Sequence, residues 1–184
     1  MTIPAIRLAL GEHLGKVLTP EIACAIELQA TTFVPSKFND DVVTSAGAVN
    51  LVTIEKMEAL EREMLKGQTF NLPVQNFFAH KCYARQIVIP AGTVLTGRIH
   101  KFQNLNILSG GEISVLTDDG IKRISAPFTV SSPPGTKRVA YAHTETTWTT
   151  ICGTELLDVD EIEKYFTTQH YSEYLEFCHL LTLK

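Results

Sequence analysis

The chain has 184 residues, 45% of them hydrophobic and 20% charged, with a formal net charge of -4. That composition excludes general disorder, and the length suits one well-buried core with decorations. The charge leaves no electrostatic footprint for nucleic acid or an anionic membrane, since basic pairs such as Lys122-Arg123 and Lys137-Arg138 stand alone.

Residues 1–17 are weakly patterned, and the opening MTIPAIRLAL lacks the basic leader and apolar core of a signal peptide. No apolar run reaches the roughly 20 residues of a membrane span. A cytoplasmic protein is the expectation. The cysteines Cys24, Cys82, Cys152 and Cys178 are widely spaced with no CxxC pair, so free thiols in a reducing compartment are expected.

The first helix signal is Thr19-Pro20-Glu21, a cap, a helix-opening proline and an acid at the positive helix end. It predicts a helix from Pro20 to about Ala30. Residues 33–52 read as loop, with Leu51 and Val52 in a short strand. A second helix is expected from Thr53 through IEKMEALEREMLK, with Ile54, Met57, Leu60, Met64 and Leu65 inward and Gly67 as its stop. Its many charges read as a solvated face.

Beyond Gly67 the period changes from helical to alternating. Strands are expected at Thr69–Leu72, Cys82–Ile89, Thr93–His100, Asn104–Leu108, Glu112–Thr117, Ile121–Ile124, Phe128–Ser131, Lys137–His143 and Thr147–Cys152. Turns ending in Gly92, Gly111, Gly120 and Gly135 separate several of them, and no crossover helix has room between them. A sandwich or barrel follows. The tail returns to helix: Asp158 caps VDEIEKYF, with Val159, Ile162, Tyr165 and Phe166 on one side, and Tyr171–Leu183 forms an amphipathic segment. The expected organisation is one folding unit, with a helical extension over 1–67, a β-barrel over 68–155 and terminal helices over 156–184.

Within the barrel, Gly92 is followed after five residues by Arg98-Ile99-His100, then by Asn104 and Gly111, and Pro133-Pro134-Gly135 leads to Arg138. This frame resembles the motifs of the cupin family. Their first motif is Gly, five residues, His-x-His, three or four residues, Glu, six residues, Gly; the second is Pro-x-Gly, two residues, His. The resemblance covers about half the chain. It implies a mainly β fold, a cupin-like double-stranded β-helix barrel with N-terminal and C-terminal helices. Metal-binding members typically use three histidines and a glutamate, whereas the matching positions here hold Arg98, His100, Asn104 and Arg138. Arginine has no lone pair to offer a metal, so no metal or other cofactor is expected. The LTPEIA, RIH and PPGTKR segments also resemble small cupin-like proteins of bacteriophages, which would place the chain in host cytoplasm or a virion.

Strand alternation puts Arg98 with His100, and Arg138 with Ala140 and Ala142, on common faces. If these faces point inward, the barrel carries guanidinium groups, an imidazole and amides, suited to a small anionic ligand. Arg98, His100, Asn104, Arg138, Gln103 and Trp148 are the candidate ligand-binding residues. Each arginine could instead pair with an acid such as Glu112 or Glu145, or reach solvent. His100 could act as acid or base, or simply hydrogen-bond Gln103, Asn104 or Asn106. Trp148 could stack on a sugar or base, or pack in the core. His143, of opposite parity, is expected outward or at an interface.

The expected function is binding of an anionic metabolite such as a nucleotide or sugar phosphate, with sequestration of a host signalling molecule as one use. The alternatives are a metal-dependent cupin enzyme of the isomerase or dioxygenase class, and a structural or interaction module. Whether the chain is an enzyme stays open. A homodimer is expected, formed through the apolar helical ends, with neither nucleic acid nor membrane as partner.

Overall fold

The computed structural model describes residues 5–7, 51–67, 69–117 and 120–183. The helix expected at Pro20–Ala30 and Cys24 lie outside the described residues. Helix α1 spans Leu51–Met64. It absorbs Leu51 and Val52, expected in a strand, because two adjacent apolar residues carry no period of their own. The helix ends in a tight turn in which Gly67 N donates to the Met64 carbonyl at 3.0 Å.

The strands are β1 (Ala5–Arg7), β2 (Val74–Ala79), β3 (Cys82–Ile89), β4 (Thr93–Thr96), β5 (Ile99–His100) and β6 (Asn104–Gly110). They continue with β7 (Glu112–Thr117), β8 (Gly120–Ser125), β9 (Phe128–Ser132), β10 (Val139–Ala142), β11 (Thr146–Gly153) and β12 (Thr167–Thr168). Helices α2 (Val159–Phe166) and α3 (Tyr171–Thr182) close the chain.

Two five-stranded antiparallel sheets result, ordered β1-β4-β10-β7-β8 and β2-β3-β11-β6-β9. Their cores, β4-β10-β7-β8 and β3-β11-β6-β9, exchange the chain between sheets in the jelly-roll pattern. The fold is therefore mainly β, a cupin-like double-stranded β-helix barrel with helices at both ends.

Two strand expectations are corrected. Thr69–Leu72 is not a strand; the strand follows Pro73, at Val74–Ala79. It is an exposed edge strand in which only Val74 is half-buried, so no inward-outward alternation marks it. The run expected as Thr93–His100 breaks at Gly97-Arg98. Gly97 N donates to the Arg138 carbonyl at 2.9 Å, after which β5 leaves the large sheet and pairs with β12 from the tail.

Burial sorts residues by parity. Ile87, Ile89, Leu95, Leu108, Ile113, Val115 and Ala142 point between the sheets and form the barrel core. On the outer side, Val94, Val139 and Tyr141 meet Ile54, Met57, Leu60 and Met64 of α1. Full burial of each such side chain contributes roughly 1.5–3 kcal/mol. Leu65, expected inward, is 55% exposed because it falls beyond the helix, in the turn. Helix α2 places Ile162 and Phe166 against Tyr83 and Cys152, closing the barrel end to which the inward face of β3 and β11 leads. Tyr165, expected on the same side, is 52% exposed. The Asp158 carboxylate accepts from Glu161 N at 2.9 Å, as the capping signal implies.

Gly111 turns β6 into β7 at φ +85, and a Cβ there would overlap the Glu145 carbonyl oxygen. At Gly135, φ is +83 and a Cβ would stand 2.9 Å from the Tyr174 ring. These are places where only glycine fits without displacement. Among the described residues, no helix is long and apolar enough to cross a membrane.

Candidate functional site

Inward parity assembles the site. Along β3 the inward residues are Arg85, Ile87 and Ile89; along β11, Thr150 lies opposite Arg85 and Trp148 opposite Ile87. Strand β10 adds Ala140 opposite Leu95 and Val115, with Arg138 just before it. The β4–β5 connection supplies Arg98 and His100, and the tail supplies Glu163, Thr167 and Gln169. All of these line one cavity of about 150 Å³, together with Asn106 of β6 and Glu61 of α1.

Arg98 Nη1 lies 3.1 Å from Glu163 Oε1. Of the alternatives open for Arg98, pairing with an acid is the one seen, but the acid is on α2 rather than Glu112 or Glu145; Glu112 accepts from Arg123 at 2.6 Å. Arg138 turns into the cavity and donates from Nη2 to Ser132 Oγ at 2.7 Å, a neutral partner. Burial lowers Arg138 to about 10, which leaves it cationic at neutral pH. Arg85 makes no side-chain hydrogen bond or ion pair among the described residues, and it lines this cavity and a second one.

His100 sits between these cations. Burial first, then the charges of Arg138 and Arg85, push its imidazole down to about 4, so it is neutral at pH 7. Its Nδ1 is buried and has no partner among the described residues. The amides expected to bond it are committed elsewhere: Gln103 donates to Ser131 Oγ at 2.7 Å, and Asn106 donates to Asn104 Oδ1 at 2.7 Å. Gln103 is exposed and outside the cavity, because it precedes β6 and points away from the barrel. Asn104 is buried but supports the wall through Asn106 rather than lining it.

Asn106 is a saturated hub. Its Nδ2 donates to Asn104 Oδ1 and Ser132 Oγ, both at 2.7 Å. Its Oδ1 accepts from Trp148 Nε1 at 3.1 Å and from Thr150 Oγ1 at 2.8 Å. Two donors and two acceptors are all an amide has. The tryptophan is thereby held by its N–H while its ring lines the cavity.

Glu61, one of the charges that the sequence assigns to a solvated helix face, is only 5% exposed. Its carboxylate accepts from Lys137 Nζ at 2.8 Å, from Gln169 Nε2 at 2.9 Å and from Thr96 Oγ1 at 3.2 Å. Helix period alone would have placed it on the buried side, next to Leu60 and three before Met64. His143, expected outward, is half-buried on the face opposite Ala140, 2.7 Å from Ser114 Oγ.

A second cavity of about 210 Å³ lies under α2, lined by Asn76, Tyr83, Cys152, Asp160, Ile162 and Phe166 among others. It shares Arg85, His100, Thr150, Glu163 and Thr167 with the first.

The donor set does not fit the metal that cupin barrels commonly hold. Among the described residues no group of three or more His, Cys, Asp or Glu gathers. His100 is flanked by the positive charges of Arg138 and Arg85, which disfavour a cation there.

No protein-family model and no curated protein sequence matches the chain. Partial likenesses to solved structures exist. An RmlC-like cupin from Shewanella frigidimarina NCIMB 400 aligns at 20% identity and TM-score 0.41, over 50% of this chain and 81% of that one. A cupin-like protein from Thermotoga maritima MSB8 aligns at 16% identity and TM-score 0.40, over 48% and 71%. An acetylacetone dioxygenase from Acinetobacter johnsonii aligns at 16% identity and TM-score 0.39 over 45% of this chain, which spans only 60% of that enzyme. The connectivity of the core strands, rather than these overlaps, defines the fold.

Proposed function

We propose that the chain is a barrel that binds a small organic anion at its cationic end, without a metal. One observation carries this reading: Arg85 and Arg138 line a single cavity and have no carboxylate partner among the described residues. Arg98 and Lys137 are each matched by an acid, Glu163 and Glu61, so the excess positive charge belongs to Arg85 and Arg138. Both are half-buried; unpaired charge partly withdrawn from water is costly, and an anion bound by charge-assisted hydrogen bonds offsets that cost.

The nucleotide or sugar phosphate class expected from the sequence exceeds a cavity of about 150 Å³. Such a ligand would have to extend past Arg85, His100 and Glu163 into the second cavity. Sequestration of a signalling nucleotide in a phage-infected host is the biological use that this larger ligand would serve. Calorimetric titration with phosphorylated and carboxylated compounds tests the anion site, and bound ligand also raises thermal stability by mass action. Arg85→Gln and Arg138→Gln should each weaken binding tenfold or more, and affinity should fall with added salt. Equal affinity in these variants would sink the proposal.

A second reading has its own observation. Helix α3 buries no residue fully, and Leu175, Leu180, Leu181 and Leu183 are 51–69% exposed. This surface would serve the expected homodimer, or make the chain an interaction module. Sedimentation of wild type and Leu180→Glu/Leu181→Glu tests it: a monomer at all concentrations overturns self-association.

A further inference from the structure

We infer that the ligand is a compact carboxylate with an apolar body, an aryl or branched alkyl acid, whose head meets Arg85 and Arg138 and whose body lies against Trp148. This rests on the anion-binding reading and names the ligand class for the same site.

The cavity is polarised along the barrel. Stepping inward on β3, the lining changes from Arg85 to Ile87 and Ile89. The neighbouring strand changes in step, since Thr150 faces Arg85 and Trp148 faces Ile87. On the opposing sheet, Arg138 gives way to Ala140, flanked by Leu95 and Val115. One end of a single cavity is cationic, and the other is aliphatic with one aromatic ring.

The apolar end offers a ligand no free polar group from its two polar residues. Asn106 has spent both donors and both acceptors within the wall, and the Trp148 N–H is spent on Asn106. A hydroxylated or heavily hydrated ligand body would lose its water there without replacement. A hydrocarbon body loses nothing and gains dispersion contacts. Small Ala140 leaves room for it.

Size narrows the class further. A cavity of about 150 Å³ matches the engineered apolar cavity of that volume that holds benzene. A benzene-sized body with a carboxylate head fits that scale, and the planar head can accept paired N–H bonds from a guanidinium. Bare phosphate or acetate would leave the aliphatic end unfilled.

The test is titration of the full chain at constant ionic strength with benzoate, 3-methylbutanoate, acetate, inorganic phosphate and adenosine monophosphate. Binding is read by calorimetry and by emission of Trp148, the single tryptophan. Benzoate and 3-methylbutanoate should bind at least about tenfold more tightly than acetate, since each buried methylene contributes about fourfold. Both should change Trp148 emission. Ala140→Leu should weaken benzoate more than acetate; Val115→Ala, which opens space instead, should shift preference toward 2-naphthoate. Tighter binding of phosphate or adenosine monophosphate with unchanged emission overturns the carboxylate assignment and leaves the anion site standing. No binding by any of the five overturns both.

Discussion

Arg98 Nη1 and Glu163 Oε1 meet at 3.1 Å and tie the β4–β5 connection to helix α2. Their side chains are 31% and 20% exposed, so the pair sits at a partly wetted edge of the cavity. Such a pair contributes little to stability, on the order of 1 kcal/mol or less. Its larger effect is on the field inside the barrel. Glu163→Gln should cost about that much in urea denaturation, while raising affinity for an anionic ligand severalfold because one negative charge leaves the wall. A drop in affinity would instead make Glu163 the residue that positions Arg98.

Lys137 and Glu61 behave differently because neither side chain is more than 6% exposed. Removing one partner leaves the other as a buried, unpaired charge. Lys137→Ala should destabilise by roughly 3–5 kcal/mol. Replacing both, Lys137→Met with Glu61→Leu, should recover a large part of that loss in chemical denaturation, since the charges leave together. Equal instability of the single and double variants would mean that the bonds from Thr96 and Gln169 to Glu61 carry the effect.

Asn106→Leu strips partners from Ser132, Asn104, Trp148 and Thr150 at once and should cost roughly 2–4 kcal/mol. It should also change Trp148 emission. Asn106→Asp keeps the shape but puts a carboxylate near Ser132, the residue that also holds Arg138. Anion affinity should fall at least tenfold in this variant even where its fold is retained. An unchanged affinity would show that Arg138 does not face the ligand.

The depressed His100 sets a pH dependence. Its folded value of about 4 lies below the unfolded value near 6.5, so the unfolded chain binds more protons between those values. Stability should therefore decline as pH falls from about 6.5 to about 4, by roughly 3 kcal/mol at most. The contribution is fully present above pH 6.5. His100→Gln should flatten this segment of the stability profile. Nuclear magnetic resonance titration of the imidazole gives the same quantity directly, and an ordinary value near 6.5 would contradict it.

Much of the barrel is legible in local sequence because its signals are local. Turn glycines such as Gly111 and Gly135 mark where the backbone must adopt positive φ, and Asp158 announces α2 one residue before it starts. Period-two alternation in the sequence also groups Arg98 with His100 and Arg138 with Ala140, although Arg98 falls in the break between β4 and β5 and Arg138 just before β10. The edge strand β2 escaped because an exposed strand has no buried face to imprint alternation.

What only the tertiary structure decided is the choice of partners. Arg85 belongs to the cation cluster because β3 pairs with its neighbour β11, Thr150 lying opposite it, and these two strands are far apart in the chain. Glu163 reaches Arg98 because β12 pins the tail across β5, and Glu61 leaves its solvated-looking helix for Lys137. Parity says which side of a strand a residue occupies, and it acts over two residues. Which charges share a cavity depends on barrel closure and helix docking, which join positions far apart in the chain. For that reason the frame from Gly92 to Arg138 could supply Arg98, His100 and Arg138, while Glu163, which pairs with Arg98, and Arg85 came from outside it.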